Sequence, residues 1–154
     1  MKIGKMLLAA ALCTGLAACG SRARQTAPAP ARGQGVEVLY FHGRQRCATC
    51  VAIERETEAV IDGLFAEAVE AGELELRVID IAQADNEAIA DKYGISWSSL
   101  VIVKYENGNE QAENLTEFAF ANARNRPETF RRGLTEKINE GLDTHGVAAN
   151  NRGE

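Results

Sequence analysis

Cys47 and Cys50, three positions apart in "HGRQRCATC", are the residues of this 154-residue chain best placed to do chemistry. A C-x-x-C spacing can serve as a redox pair, as half of a metal site, or as two buried thiols. A helix beginning at Cys47 would offer free N–H groups and partial positive charge, both of which favour a thiolate. Arg44 and Arg46 add positive charge close by. Together these should lower the Cys47 pKa into the range of roughly 3.5–7.5 seen for activated cysteines. Cys50, one turn further on, could then resolve a mixed disulfide. A bridge over so short a loop restrains the unfolded chain little, so stability is a poor reason for it. Zinc wants four ligands, and the chain adds only His42 and His145, at unhelpful spacings. Two thiolates suit Cu(I), which keeps a copper-handling module open, as is a binding or scaffold domain without redox chemistry. His42 could tune the thiol or simply satisfy a loop carbonyl. Exchange needs no organic cofactor, and no metal is assigned.

The pair needs a strand before it and a helix behind it. "VEVLYFH", 36–42, is rich in β-branched and aromatic residues, and its continuous apolar run implies burial on both faces. One long helix is expected from about Ala48 to Ala71, with Ile53, Val60, Ile61, Leu64, Phe65, Ala68 and Val69 as its apolar stripe. Its acids along 54–70 read as a solvated face. Gly72 ends it. A second strand is expected over 73–81, with Asp80 closing it rather than catalysing. A short helix follows over 84–94, starting near Asp85 or Asn86. "SLVIVKY", 99–105, is a third strand, and Asn107-Gly108 returns 109–115 antiparallel. Thr116 is expected to cap a helix over 117–123. Pro127 suits the first turn of a last helix, with Phe130, Leu134, Ile138 and Leu142 on one face. This order, β-α-β-α-β-β-α, gives an α/β fold with a mixed central sheet and helices on both faces. A right-handed crossover makes the first two strands parallel.

The N-terminus has another job. Lys2 and Lys5 precede an apolar run from Met6 to Ala18 that is too short to span a bilayer. A charged start and a small-residue end read as a secretory signal. Leu16-Ala17-Ala18-Cys19 resembles the bacterial lipobox, which implies lipidation at Cys19 and loss of residues 1–18. Residues 19–35 then form a flexible linker, 36–145 the folded domain and 146–154 a disordered tail. The sixteen flexible residues 20–35 after the lipidated Cys19 would span roughly 20–25 Å. The expected location is the bacterial cell envelope, lipid-anchored and facing the periplasm, where disulfides persist. Losing the leader removes two lysines and no acid, which takes the net charge from −5 to −7. An acidic chain argues against nucleic acid as a partner and leaves membrane attachment to acyl chains. Of four cysteines, only Cys47 and Cys50 would remain free to pair.

Taken with "VIDIAQADNEAIADKYGI" at 78–95 and "SLVIVKYENGNE" at 99–110, the "CATC" at a strand-to-helix junction resembles the thioredoxin-like superfamily over about residues 36–142. The resemblance implies disulfide exchange with a protein thiol or disulfide partner, Cys47 attacking and Cys50 resolving. The chain also departs from that family. Arg46 stands where Trp is usual, and Ala48-Thr49 replaces Gly-Pro between the cysteines. The loop Ile95-Ser96-Trp97-Ser98-Ser99 lacks the cis-proline that normally faces the pair. A trans loop is therefore expected, since a cis bond without proline costs about 3 kcal/mol. A hydroxyl from Ser98 or Ser99 could face the sulfurs instead, and Trp97 could line a substrate groove or merely pack. Tyr40-Phe41-His42 supplies no counterpart to the family's buried acid.

Overall fold

A computed structural model describes residues 33–150. The expected leader, Cys19 and most of the expected linker lie outside the described residues, as do residues 151–154. No described helix is long and apolar enough to cross a membrane.

Strand β1 (Gly35–His42) pairs in parallel with β2 (Leu74–Asp80) and antiparallel with β3 (Ser99–Glu106), which pairs with β4 (Asn109–Asn114). The sheet order is β2-β1-β3-β4. Alternation along β1 divides the core. Val36, Val38 and Tyr40 face α1 (Ala48–Leu64), α4 (Thr116–Asn122) and α5 (Pro127–Asn150), packing with Ile53, Ile61, Ala119, Phe130, Leu134 and Ile138. Leu39 and Phe41 face the other side, where Ile79, Ala90, Ile95, Val101 and Val103 gather around α3 (Glu87–Lys92). Helices thus cover both faces, and β1 is buried on both. Glu37 is also buried there, accepting a hydrogen bond from the Tyr105 hydroxyl at 3.1 Å.

The turn chemistry follows the sequence. Asn107 (φ 51°) and Gly108 (φ 79°) both take the left-handed conformation that a two-residue hairpin requires. Asp80 closes β2, its carboxylate accepting from the Ala82 N–H at 2.9 Å and the Gln83 side chain at 3.1 Å. The backbone bond, more than the side-chain one, holds the Asp80 carboxyl below its usual range. Phe130, Leu134 and Ile138 are fully buried on α5, with Leu142 packed against them. Gly141 sits inside α5, where glycine weakens a helix. It is there because the strand lies so close: a Cβ at 141 would come within 2.5 Å of Val36 Cγ2.

Three expectations need correction. The long helix is two: α1 ends at Leu64, Phe65 breaks it, and α2 (Ala66–Glu70) follows. The break turns Phe65 into the core while Leu64 and Val69, expected in the stripe, remain 65% and 41% exposed. Thr116 does not cap α4. Its hydroxyl accepts from the Leu100 N–H at 3.1 Å, Leu115 holds the cap position, and the Asn114 side chain accepts the Thr116 N–H at 2.9 Å. The acids of α1 are not all solvated either. Glu56 is buried between α1 and α5, taking hydrogen bonds from Arg55 and Arg131, each at 2.6 Å.

Burial alone would raise the Glu56 pKa, but the two guanidiniums outweigh it and hold the carboxyl below its ordinary value of 4.5. A lowered carboxyl stabilises the fold above the unfolded-state pKa and loses that contribution as pH falls through the folded-state value. Urea midpoints of the wild type should therefore fall on acidification below about pH 4.5. In an Arg55→Ala/Arg131→Ala variant that acid-side slope should flatten, because the cause of the shift is gone. An unchanged slope in the variant would assign the acid sensitivity to other carboxylates.

Candidate active site

Antiparallel pairing sets the C-terminal end of β1 beside the start of β3, with Phe41 opposite Ser99. Parallel pairing brings the end of β2 to the same edge, with His42 opposite Asp80. The loop leaving β1, the loop entering β3 and the start of α1 therefore converge at one end of the sheet. Cys47 is the N-cap residue of α1, with extended backbone at φ −72° and ψ 161°. Its Sγ accepts the Cys50 N–H at 3.1 Å, one of the free donors of the helix's first turn. The two cysteines form a disulfide with their Cα atoms 5.0 Å apart. Cys47 is exposed and Cys50 is only 5% exposed. Cys47 is therefore the member of the pair open to solvent, and its sulfur is the one that accepts a helix N–H.

Beneath the pair lies Tyr40, fully buried, whose hydroxyl donates to the Cys50 carbonyl at 2.7 Å. Burial raises the Tyr40 pKa, against the opposing pull of Arg46. The Arg46 guanidinium lies 5.8 Å from the centre of the Tyr40 ring and forms an ion pair with Glu54. Its charge is thus shared with a carboxylate rather than left free beside Cys47. Arg44 is exposed and acts with His42 on Asp80. The His42 Nδ1 lies 3.1 Å from the Gly43 carbonyl, where it serves as a donor in the loop-satisfying role.

The loop before β3 contains no cis peptide, nor is there one elsewhere among the described residues. Ser99 is buried, and its hydroxyl donates to the Trp97 carbonyl at 3.0 Å, so its proton is committed to the loop rather than to the sulfurs. Ser98 is half-buried just before β3. Trp97 is 57% exposed and rests against the Phe120 ring of α4, 5.4 Å between centroids. Val51, directly after Cys50, is also exposed. Among the described residues, no group of three or more His, Cys, Asp or Glu side chains is placed to share a metal ion.

Sequence reasoning missed Tyr40 and Glu54. Period-two alternation from Val36 and Val38 does put Tyr40 on the α1 face, but its bond to Cys50 depends on where the first helical turn lands. Glu54 follows Cys50 by four residues and so shares its helix face, a signal that was present but was read as solvation.

A C-x-x-C pair capping the helix after the first strand, over a sheet ordered β2-β1-β3-β4, is decisive for the architecture. The fold is thioredoxin-like. No protein-family model matches the chain, and no curated protein does. Among solved structures the chain is similar to Fasciola hepatica thioredoxin, at 24% identity over 70% of this chain and 81% of that one, TM-score 0.41. It is also similar to an uncharacterized thioredoxin-like protein from Clostridium perfringens, at 14% identity over 73% and 75% of the two chains, TM-score 0.45. A third similarity is to a malarial protein, at 18% identity over 59% of this chain and 98% of that one, TM-score 0.37.

Proposed function

We propose that this thioredoxin-like chain exchanges disulfides with a protein partner through Cys47 and Cys50, while tethered to a bacterial envelope membrane by a lipid on Cys19. The observation that carries the exchange reading is the asymmetry of the pair: an exposed sulfur capping a helix, bonded to one that is buried. The tether rests on the lipobox-like "LAAC" and the linker that follows it.

The reduced chain would act as follows. The Cys47 thiolate attacks one sulfur of the partner's disulfide. A Cys47–partner disulfide forms, the partner's own S–S bond breaks, and the departing thiolate takes up a proton. Cys50 gives up its proton and attacks the Cys47 sulfur. The mixed disulfide breaks, and a second partner thiolate leaves and is protonated. The pair loses two electrons, the partner gains two, and the intramolecular Cys47–Cys50 disulfide is the product. Run backwards, the same steps oxidise a dithiol partner. Cys50 keeps its place for the second step because Tyr40 holds its carbonyl from below.

The test is turnover of a disulfide-bonded protein by the reduced chain, with the redox state of the pair followed in parallel. Stoichiometric Cu(I) binding by the reduced form without turnover would overturn the exchange reading in favour of metal handling. Palmitate labelling lost in a Cys19→Ala variant tests the tether separately.

Trp97 gives a finer prediction. An exposed indole at the mouth of the site is the kind of side chain that anchors a polypeptide partner. Trp97→Ala should lower kcat/KM for a protein disulfide about tenfold. The rate with a small disulfide such as oxidised glutathione, reduced by the same steps, should be unchanged. Equal losses with both substrates would mean that Trp97 supports the loop and does not meet the partner.

A further inference from the structure

Arg46 precedes the proposed nucleophile directly, with the two Cα atoms about 3.8 Å apart. That is the position from which a cation would most strongly stabilise a Cys47 thiolate. Yet its guanidinium is turned over the Tyr40 ring and paired with Glu54. Arg46 is an exposed residue, though its side chain is 29% open, and the Glu54 side chain is 21% open, so the pair sits at the edge of the domain with its carboxylate the more shielded end. Glu54 sits one helical turn beyond Cys50 on the same face of α1. From there its carboxylate opposes a thiolate in two ways, by repulsion and by neutralising Arg46. The remaining charged and titratable groups around the pair do not replace that cation. His42 and Tyr40 come from β1, and Asp80 closes β2. Arg44, in the loop, acts with His42 on Asp80. The β3 approach contributes the uncharged Ser98 and Trp97, and α4 carries the exposed Glu117.

We propose that Glu54 is a positioning residue that restrains the reactivity of Cys47, by holding Arg46 in an ion pair against Tyr40 and withholding its charge from the sulfur. The proposal rests on Cys47 as the attacking thiol. In this arrangement the helix N-terminus sets a base level of acidity, and the Arg46–Glu54 pair keeps the thiol from becoming more acidic still. A less acidic attacking thiol is also a stronger nucleophile once ionised. The restraint therefore trades thiolate population against intrinsic reactivity.

The experiment is a charge cycle read at one thiol. The reduced chain is alkylated with iodoacetamide across pH, and modification of Cys47 is resolved from that of Cys50 by fragmenting the peptide that carries both. Wild type, Glu54→Gln, Glu54→Asp, Arg46→Ala and the Glu54→Gln/Arg46→Ala double variant are compared. Glu54→Gln is nearly isosteric and should hold about three- to tenfold more thiolate at a fixed pH below the midpoint. Glu54→Asp, which keeps the charge, should track the wild type. Arg46→Ala alone should change the thiolate fraction by less than about twofold, because its charge is already offset. In the Glu54→Gln background the same Arg46→Ala change should reverse most of the gain. That non-additivity is the signature of one side chain acting through the other. An unmoved profile in Glu54→Gln would overturn the proposal, and so would a double variant that keeps most of the gain. Alkylation requires no partner, so either failure is distinct from failure of the exchange reading, which is decided by trapping.

Discussion

Cys47→Ser should leave a folded chain with no disulfide exchange at all, whereas Cys50→Ser should accumulate as a mixed disulfide with its partner. The difference follows from exposure. Cys47 is open to solvent and caps α1, while Cys50 is 5% exposed and its carbonyl is tied to Tyr40. Without the Cys47 sulfur there is nothing a partner can reach. Without Cys50 the first step proceeds and the second cannot, so the covalent intermediate persists until an external thiol releases it. Either variant removes a bridge that closes only a few residues, which should cost no more than about 2 kcal/mol. Non-reducing electrophoresis of extracts from cells expressing each variant, followed by release with dithiothreitol, reads both outcomes and supplies the partner. Unimpaired exchange by Cys47→Ser would move the chemistry to another residue. Trapping by Cys47→Ser instead of Cys50→Ser would reverse the assigned roles.

Phe130→Ala should destabilise the domain by about 4 kcal/mol, with little change in the exchange chemistry of the molecules that remain folded. Phe130 is fully buried on α5, stacked on Phe118 of α4 with ring centroids 5.9 Å apart and an interplanar angle of 16°. It belongs to the cluster that joins the α1 face of the sheet to both C-terminal helices. Truncation loses the transfer free energy of the ring and leaves a cavity whose walls relax only partly. Phe118 is poorly placed to fill it. The backbone of Gly133 lies so close behind its ring that a Cβ there would stand 2.4 Å from Cζ. For a domain with the usual 5–15 kcal/mol of stability, such a loss is a large share. Urea unfolding at unchanged m measures it, and Phe130→Leu should recover most of it. A loss below about 2 kcal/mol would show that the α4–α5 contact closes over the space more easily than this packing allows.

Much of this molecule could be read from its sequence, and the exceptions have physical causes. The strands were legible because period-two and continuous apolar patterns survive in "VEVLYFH" and "SLVIVKY", and the hairpin because Asn-Gly has few other uses. The pair's place at the head of α1 followed from the end of β1. The split after Leu64 was not legible, because 60, 61, 65 and 68 fit one helical stripe whether or not the backbone breaks between them. Thr116 looked like a cap because it precedes an apolar run. Its hydroxyl was instead claimed by a strand far away in sequence, which no local pattern reports. Glu54 and Glu56 looked solvated because their partners, Arg46 and Arg131, come from a loop and from another helix. Long-range pairing of charges is the part of the site that a one-dimensional reading cannot supply.

Strand β1 has a consequence for where the chemistry takes place. It enters at Gly35 and leaves at His42, just before the loop that carries the cysteines. Eight residues of extended chain put about 25 Å between its two ends. The point where the chain enters the sheet and the exposed Cys47 therefore lie at opposite poles of the domain, separated by the length of its own central strand. Were the proposed tether at Cys19 in place, it would join the domain at the pole away from Cys47, and a partner would meet the pair on the far side of the domain from its attachment.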